Sequence, residues 1–279
     1  MYHEFLQITP WLFTAIVSVS VALILVVGSY ITHKYWGNLF IRPLDNPVAN
    51  IILRQTGTIL SVLLAFAVIS SWQDYELQRK NTAEEASIMG NLYRDCRGID
   101  TGEEKTMQKL LVVYTRALVV DAWPKMKHRQ ESRIAWMAFN NLYGHIIRFT
   151  PSNAREEVVF GKLVQHLNDL AKFRRLRLLR NQNPFIPNVL WGTIYISTLL
   201  VVISGYFLRM ESPGMQPILT AITGLVLGLI ISMLLLMNHP YSSSLQISPS
   251  PIELLLNDVY PTADLTHREI QANDSVEKL

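Results

Sequence analysis

The sequence is short of charge and of cysteine. Only 17% of its 279 residues are Asp, Glu, Lys or Arg, while 49% are hydrophobic. An ordinary soluble domain carries about 25% charged residues, so this composition argues against one. Cys96 is the single cysteine, which excludes an internal disulfide and a thiolate metal cluster within one chain. That fits a reducing compartment for the polar part of the chain. Arg94 and Arg97 flank it and are of the kind that favour a thiolate, yet an isolated thiol reads first as incidental. The opening MYHEFLQITPW has Glu4 but no Lys or Arg. It therefore lacks the basic start of a signal peptide, and the first apolar stretch is read as a retained span.

Catalytic signatures are missing too. There is no phosphate-cradling glycine loop, dinucleotide fingerprint, His-Glu-x-x-His, nucleophile elbow or paired cysteine. Among the seven histidines, His128, His145 and His166 fall on separate expected elements, so no metal site is supported. The expectation is a protein with no catalytic residues, no cofactor, no bound metal and no nucleic-acid partner. No alternating strand pattern and no internal repeat is seen.

What the chain does have is apolar length. Leu6 to Thr32, Gln55 to Gln73, Asn181 to Leu208 and Ser212 to Asn238 carry no charge. Each is long enough to cross about 30 Å of hydrocarbon as a helix. The expected fold class is all-α: a polytopic membrane protein with four transmembrane helices and a cytoplasmic helical bundle inserted between spans two and three. The expected organisation is a first transmembrane hairpin (1–73), a cytoplasmic helical region continuous with the second span (74–182), a second hairpin (183–238) and a cytoplasmic tail (239–279). Lys and Arg near the span ends set orientation. Arg79 and Lys80 follow the second span, and KFRRLRLLR precedes the third, which places the middle segment and both termini in the cytoplasm of an inner, or plasma, membrane. Arg174, Arg175, Arg177 and Arg180 in that run are expected to rest on lipid headgroups. A specific lipid site, or a ring of cations drawing anions to a pore, is the sharper alternative.

The second block does not end where its apolar character ends. Between Ile51 and Gly90 neither glycine (beyond Gly57) nor proline interrupts VISSWQDYELQRKNTAEEASIMG, and good helix formers fill the charged half. A single helix of about 45 residues, near 70 Å, is expected. Arg54, Thr58, Ser61, Ala65, Val68 and Trp72 share one narrow arc of it, continued by Tyr75, Arg79, Ala83 and Ala86, with Ile59, Leu63 and Phe66 on or near the other side. A small and polar face of this kind turns to protein or water. Glu84 and Glu85 read as salt-bridge partners of Arg79, Lys80 or a neighbouring helix, with a proton or metal role the alternative.

Three further helices are expected after the turn RGIDTG: Glu103 to Trp123, ended by Pro124; Glu131 to Arg148; and Asn153 to Arg180, with Asn153 and Glu156 at capping spacing. NPFIPN resets the chain before the third span, and Gly224 and Gly228 permit close helix contact in the fourth. In the tail, Ser250, Pro251 and Glu253 suggest a capped short helix, followed by a polar end.

At WQDYELQRKNTAEEASIMGNLYR the chain resembles the bestrophin-like family of bacterial four-span membrane proteins. Trp72, Tyr75, Arg79, Glu84, Glu85, Ala86, Gly90, Tyr93 and Arg94 carry the resemblance. HPYSSSLQISPSPI supports it through Pro240 and Tyr241, with His239 where an acidic residue is expected. The family is distantly similar to the bestrophins, oligomeric anion channels whose second span lines the pore and runs on into the cytoplasm. The resemblance implies a homo-oligomer in a lipid bilayer, an inorganic anion as the permeant species, and Arg54, Thr58, Ser61, Ala65, Val68 and Trp72 as pore-lining residues. The alternative is a non-conducting scaffold or sensor whose cytoplasmic helices bind a partner.

Overall fold

The computed structural model describes residues 9–40, 46–99, 102–208 and 214–260. Among them there is no strand. The chain divides into two compact units: residues up to Gln78 with Arg180–Ile247, and Arg79–Leu179 with the residues from Ser248 onward.

Four helices are long and apolar enough to cross a membrane. They are α1 (Pro10–Phe40), α2 (Asn46–Cys96), α7 (Asn188–Tyr206) and α8 (Met215–Met237). The protein is thus an all-α, polytopic membrane protein, with further helices between its second and third spans. Large apolar side chains such as Leu23, Ile24, Ile59, Phe66, Ile196 and Leu199 stand exposed along these helices. In water that surface would be costly; in lipid it is matched. The hydroxyls of Ser18, Thr32, Thr193, Ser204 and Thr223 each donate to a carbonyl one turn back in their own helix, at 2.7–3.0 Å. These bonds satisfy the five hydroxyls without water.

Within the first unit, α1 and α8 pack closely along their length. A Cβ at Gly224 would strike the Ala22 backbone, and one at Gly228 the Ser18 backbone. Only glycine allows this approach. The core is built from Leu25, Leu60, Leu64, Ala67, Ile186, Ile194, Leu227 and Leu234. The third span starts later than its uncharged block: Asn181 and Gln182 end the preceding helix, and the chain resets through NPFIP before α7. The Asn238 carboxamide oxygen accepts the Ile186 N–H at 2.8 Å and holds that reset against the end of α8.

The second unit contains the end of α2 with α3 (Glu103–Ala117), α4 (Trp123–Met126), α5 (Arg133–Arg148), most of α6 (Ala154–Gln182) and α9 (Ser250–Leu254). Met89, Leu92, Met107, Leu111, Tyr114, Leu142, Leu163, Leu167 and Leu170 form its interior. Helix α5 is capped by Ser132, whose hydroxyl accepts the Ala135 N–H at 2.9 Å. Asn153 caps α6 by accepting the Glu156 N–H at 2.8 Å, and Glu156 reaches back to the Ser152 N–H at 2.8 Å.

Two expected ends are corrected. Pro124 does not stop the helix that begins at Glu103. One wide π-turn, Leu118–Ala122, intervenes, with the Trp123 N–H on the Leu118 carbonyl. Pro124 then falls in the first turn of α4, where a missing N–H costs nothing. Ser250 is not a cap either. It is the first residue of α9, Pro249 occupies the cap position, and the Ser250 N–H donates to the Ser248 hydroxyl at 3.1 Å. The polar end of the tail lies outside the described residues.

Candidate functional site

Helix α2 runs unbroken for 51 residues, roughly 75 Å. It stays α-helical through Trp72. Its sequence explains the continuity: β-branched and apolar residues in the first half are bounded by neighbouring spans, and Glu, Lys, Arg, Gln, Ala and Leu dominate the second.

The side of α2 that packs inward is a stripe at steps of three and four residues, with one of seven between Ser71 and Gln78: Leu60, Leu64, Ala67, Ser71, Gln78, Thr82, Glu85, Met89, Leu92 and Cys96 are all buried. This is the helical contact period. The arc singled out from sequence lies about 100° around the helix from it. Arg54, Thr58, Ser61, Ala65 and Trp72 are exposed, and Val68 is half-buried beside the core. Their own subunit's spans do not cover them. Thr58 donates its hydroxyl to the Arg54 carbonyl, and Ser61 to the Thr58 carbonyl, each at 2.8 Å. This exposed strip carries smaller and more polar side chains, Trp72 apart, than the neighbouring exposed Ile59, Val62 and Phe66.

The residues behind the family resemblance separate into two groups. Trp72, Arg79, Glu84 and Arg94 are exposed, and Tyr75 is half-buried. Glu85, Gly90 and Tyr93 point into the second unit, and Pro240 and Tyr241 are buried in the first. Gly90 and Tyr93 meet the tail: a Cβ at Gly90 would lie 3.3 Å from Leu255 Cδ2, and the Tyr93 and Tyr260 rings are 4.6 Å apart. The Tyr260 hydroxyl lies 3.4 Å from Thr115 Oγ1, and burial raises the Tyr260 phenol above its usual range. This docking of the tail on α2 was not visible in the sequence, where the tail read as a short helix with no stated partner.

Glu85 is engaged by Arg177. Nε donates to Oε2 at 2.8 Å and the second guanidinium nitrogen to Oε1 at 3.1 Å. The side chains are 3% and 1% exposed for Arg177 and Glu85. Arg177 also stacks over the Trp123 ring, 5.3 Å from its centroid. Tyr114 is fully buried nearby; burial first, and the Glu85 charge second, push its phenol up. The salt-bridge reading of Glu85 thus holds, with a neighbouring helix supplying the cation.

Arg177 is therefore not lipid-facing. Arg180 is also largely withdrawn: two of its nitrogens donate to Asp74 Oδ2 at 2.8 and 2.6 Å, and it stacks on Phe185 at 5.5 Å. Arg174 sits over Phe139 at 4.8 Å. Arg175 alone of the four is exposed. The physical reason is the helical period: Arg177 lies seven residues after Leu170, on the buried side of α6. Cys96 is fully buried, where a thiolate is disfavoured despite the adjacent arginines. Among the described residues, no group of His, Cys, Asp and Glu is placed to hold a metal.

An all-helical chain with two pairs of spans around a helical insert defines a class of membrane protein. The model of the bestrophin-like domain matches residues 14–252. The chain belongs to the bestrophin-like family. Two single-residue variants of a bacterial bestrophin homologue from Klebsiella pneumoniae share its fold, each with a TM-score of 0.62. They are 12% and 13% identical, over 88% of this chain and 96% of theirs. A further solved structure of a membrane protein aligns with TM-score 0.63 and 14% identity, over 88% of this chain and 97% of that one. No curated protein matches the chain.

Proposed function

We propose that this protein is a subunit of a homo-oligomeric anion channel in a bacterial inner membrane, with α2 lining the shared axis. The carrying observation is the arc Arg54–Thr58–Ser61–Ala65–Trp72, left bare by its own subunit beside a continuous packed stripe. Copies gathered around that arc bury it. Arg54 then offers a positive charge at the mouth, and Ala65 with Val68 form an apolar constriction. The N-terminus, the inserted helices and the tail lie in the cytoplasm, as the basic residues after span two and before span three favour. No reacting group, cofactor or metal enters this function. The test is flux through purified protein in liposomes: chloride passes through the wild type, and Ser61→Trp blocks it while the oligomer persists. An intact oligomer that passes no ion refutes the proposal.

One observation favours a second reading, a non-conducting scaffold. The hydroxyls of Thr58 and Ser61 donate to their own backbone, which leaves lone pairs rather than hydrogens outward. Those suit a packed helix interface as well as a pore. Cross-linking of Ser61→Cys between copies, with no flux for any ion, selects it.

A further inference from the structure

The second unit holds a cleft of about 540 Å³ between α3 and α5 that the channel reading does not use. Helix α5 turns its apolar side, Ala138, Phe139, Leu142 and Ile146, into the unit's core. Its other side carries Asn140, Asn141, Gly144, His145 and Arg148, at steps of three and four residues, and this side walls the cleft. The Arg148 guanidinium and both carboxamides have no hydrogen-bond or ion-pair partner among the described residues. Opposite them stands Glu103, one carboxylate oxygen 2.8 Å from His145 Nε2. Leu110 and Phe149 supply an apolar patch. The space beside Gly144 is open: a Cβ there would meet nothing within 4 Å.

A cation, an anion, two amides and an apolar patch in one cleft answer a ligand with a carboxylate, an ammonium and a hydrocarbon group. We infer that this cleft binds a small zwitterion, an amino acid with an apolar side chain. Arg148 takes the carboxylate in two parallel bonds. The free Glu103 oxygen takes the ammonium, Asn140 and Asn141 bond the remaining edges, and Leu110 with Phe149 cover the side chain. The cleft is large enough for such a molecule. The proposal goes beyond ion flux and does not depend on it.

The probe is L-phenylalanine, titrated by calorimetry into the purified full-length protein in detergent. Millimolar or tighter binding is expected. 3-Phenylpropionate, which lacks the ammonium, and phenethylamine, which lacks the carboxylate, should each bind roughly tenfold more weakly or worse, the weight of one charge-assisted hydrogen bond. Arg148→Gln and Glu103→Gln should weaken L-phenylalanine by a similar factor, and each should cancel the preference over the analogue lacking its partner group. Gly144→Trp should abolish binding by filling the cleft. Gly144→Ala, which meets no neighbour, checks that the helix tolerates a side chain. Absence of binding at millimolar L-phenylalanine, or binding that Gly144→Trp leaves intact in a folded protein, overturns the inference.

Discussion

Replacing Arg177 by Met tests the interior of the second unit most directly. The substitution keeps the length and apolar body of the side chain but removes both donors from the Glu85 carboxylate. Glu85 is 1% exposed, so no water replaces them. Stranding one member of a buried ion pair costs about 3–5 kcal/mol. Loss of the contact with Trp123, at 5.3 Å, is included in that figure and accounts for about 1 kcal/mol of it. The decisive comparison is the double substitution Glu85→Met with Arg177→Met. Two apolar side chains in place of a desolvated pair are expected to change stability by about 1–2 kcal/mol in either direction. With Glu85→Met alone expected to cost about as much as Arg177→Met, the coupling between the sites then comes to roughly 4 kcal/mol or more. Arg177→Lys keeps the charge but not the two-pronged geometry, and falls between single and double variants. Denaturant unfolding in mixed micelles, followed by tryptophan fluorescence, measures the wild type, the two single Met variants, the double variant and Arg177→Lys. A single variant within about 1 kcal/mol of wild type, or a double variant as damaged as the single, would refute the claim that desolvated charge governs this site.

Three other outcomes follow from the packing. Gly228→Leu should separate α1 from α8, because its Cβ meets the Ser18 backbone; the expected loss is at least about 2 kcal/mol in the same unfolding assay, against little change for Gly205→Leu, whose Cβ meets nothing. Gly90→Val should loosen the tail, since Leu255 Cδ2 lies 3.3 Å from the Cβ position, and limited proteolysis should cut near Tyr260 sooner. Cys96, fully buried, should resist a maleimide in the native protein and react on unfolding; rapid native labelling would contradict the assigned burial.

The spans and the long α2 were legible because they rest on local rules: runs without charge, and good helix formers with no breaker. Legibility ended where partners are distant in sequence. KFRRLRLLR reads as a surface run, since a basic side chain announces its charge and not the carboxylate it meets about 90 positions earlier. A signal was nonetheless present. Glu85 occupies the same three-and-four stripe as Met89 and Leu92, and an acid on an apolar stripe demands a cation. Pro124 misled for a related reason: a breaker rule assumes the α-helical register, and one π-turn moves the proline into a position that tolerates it. The tail's docking on Gly90 and Tyr93 had no periodic signature at all. For the exposed arc of α2, sequence named the residues, while what occupies the other side belongs to the assembly.

The pairing of Arg177 and Arg180 has a consequence in time. Asp74 and Glu85, the acids that neutralise them, are synthesised first, on another helix, and meet them only when the bundle closes. Until it closes, the run carries its full charge; once assembled, the molecule pairs two of those charges, and the net positive field of the run is weaker than its sequence alone implies.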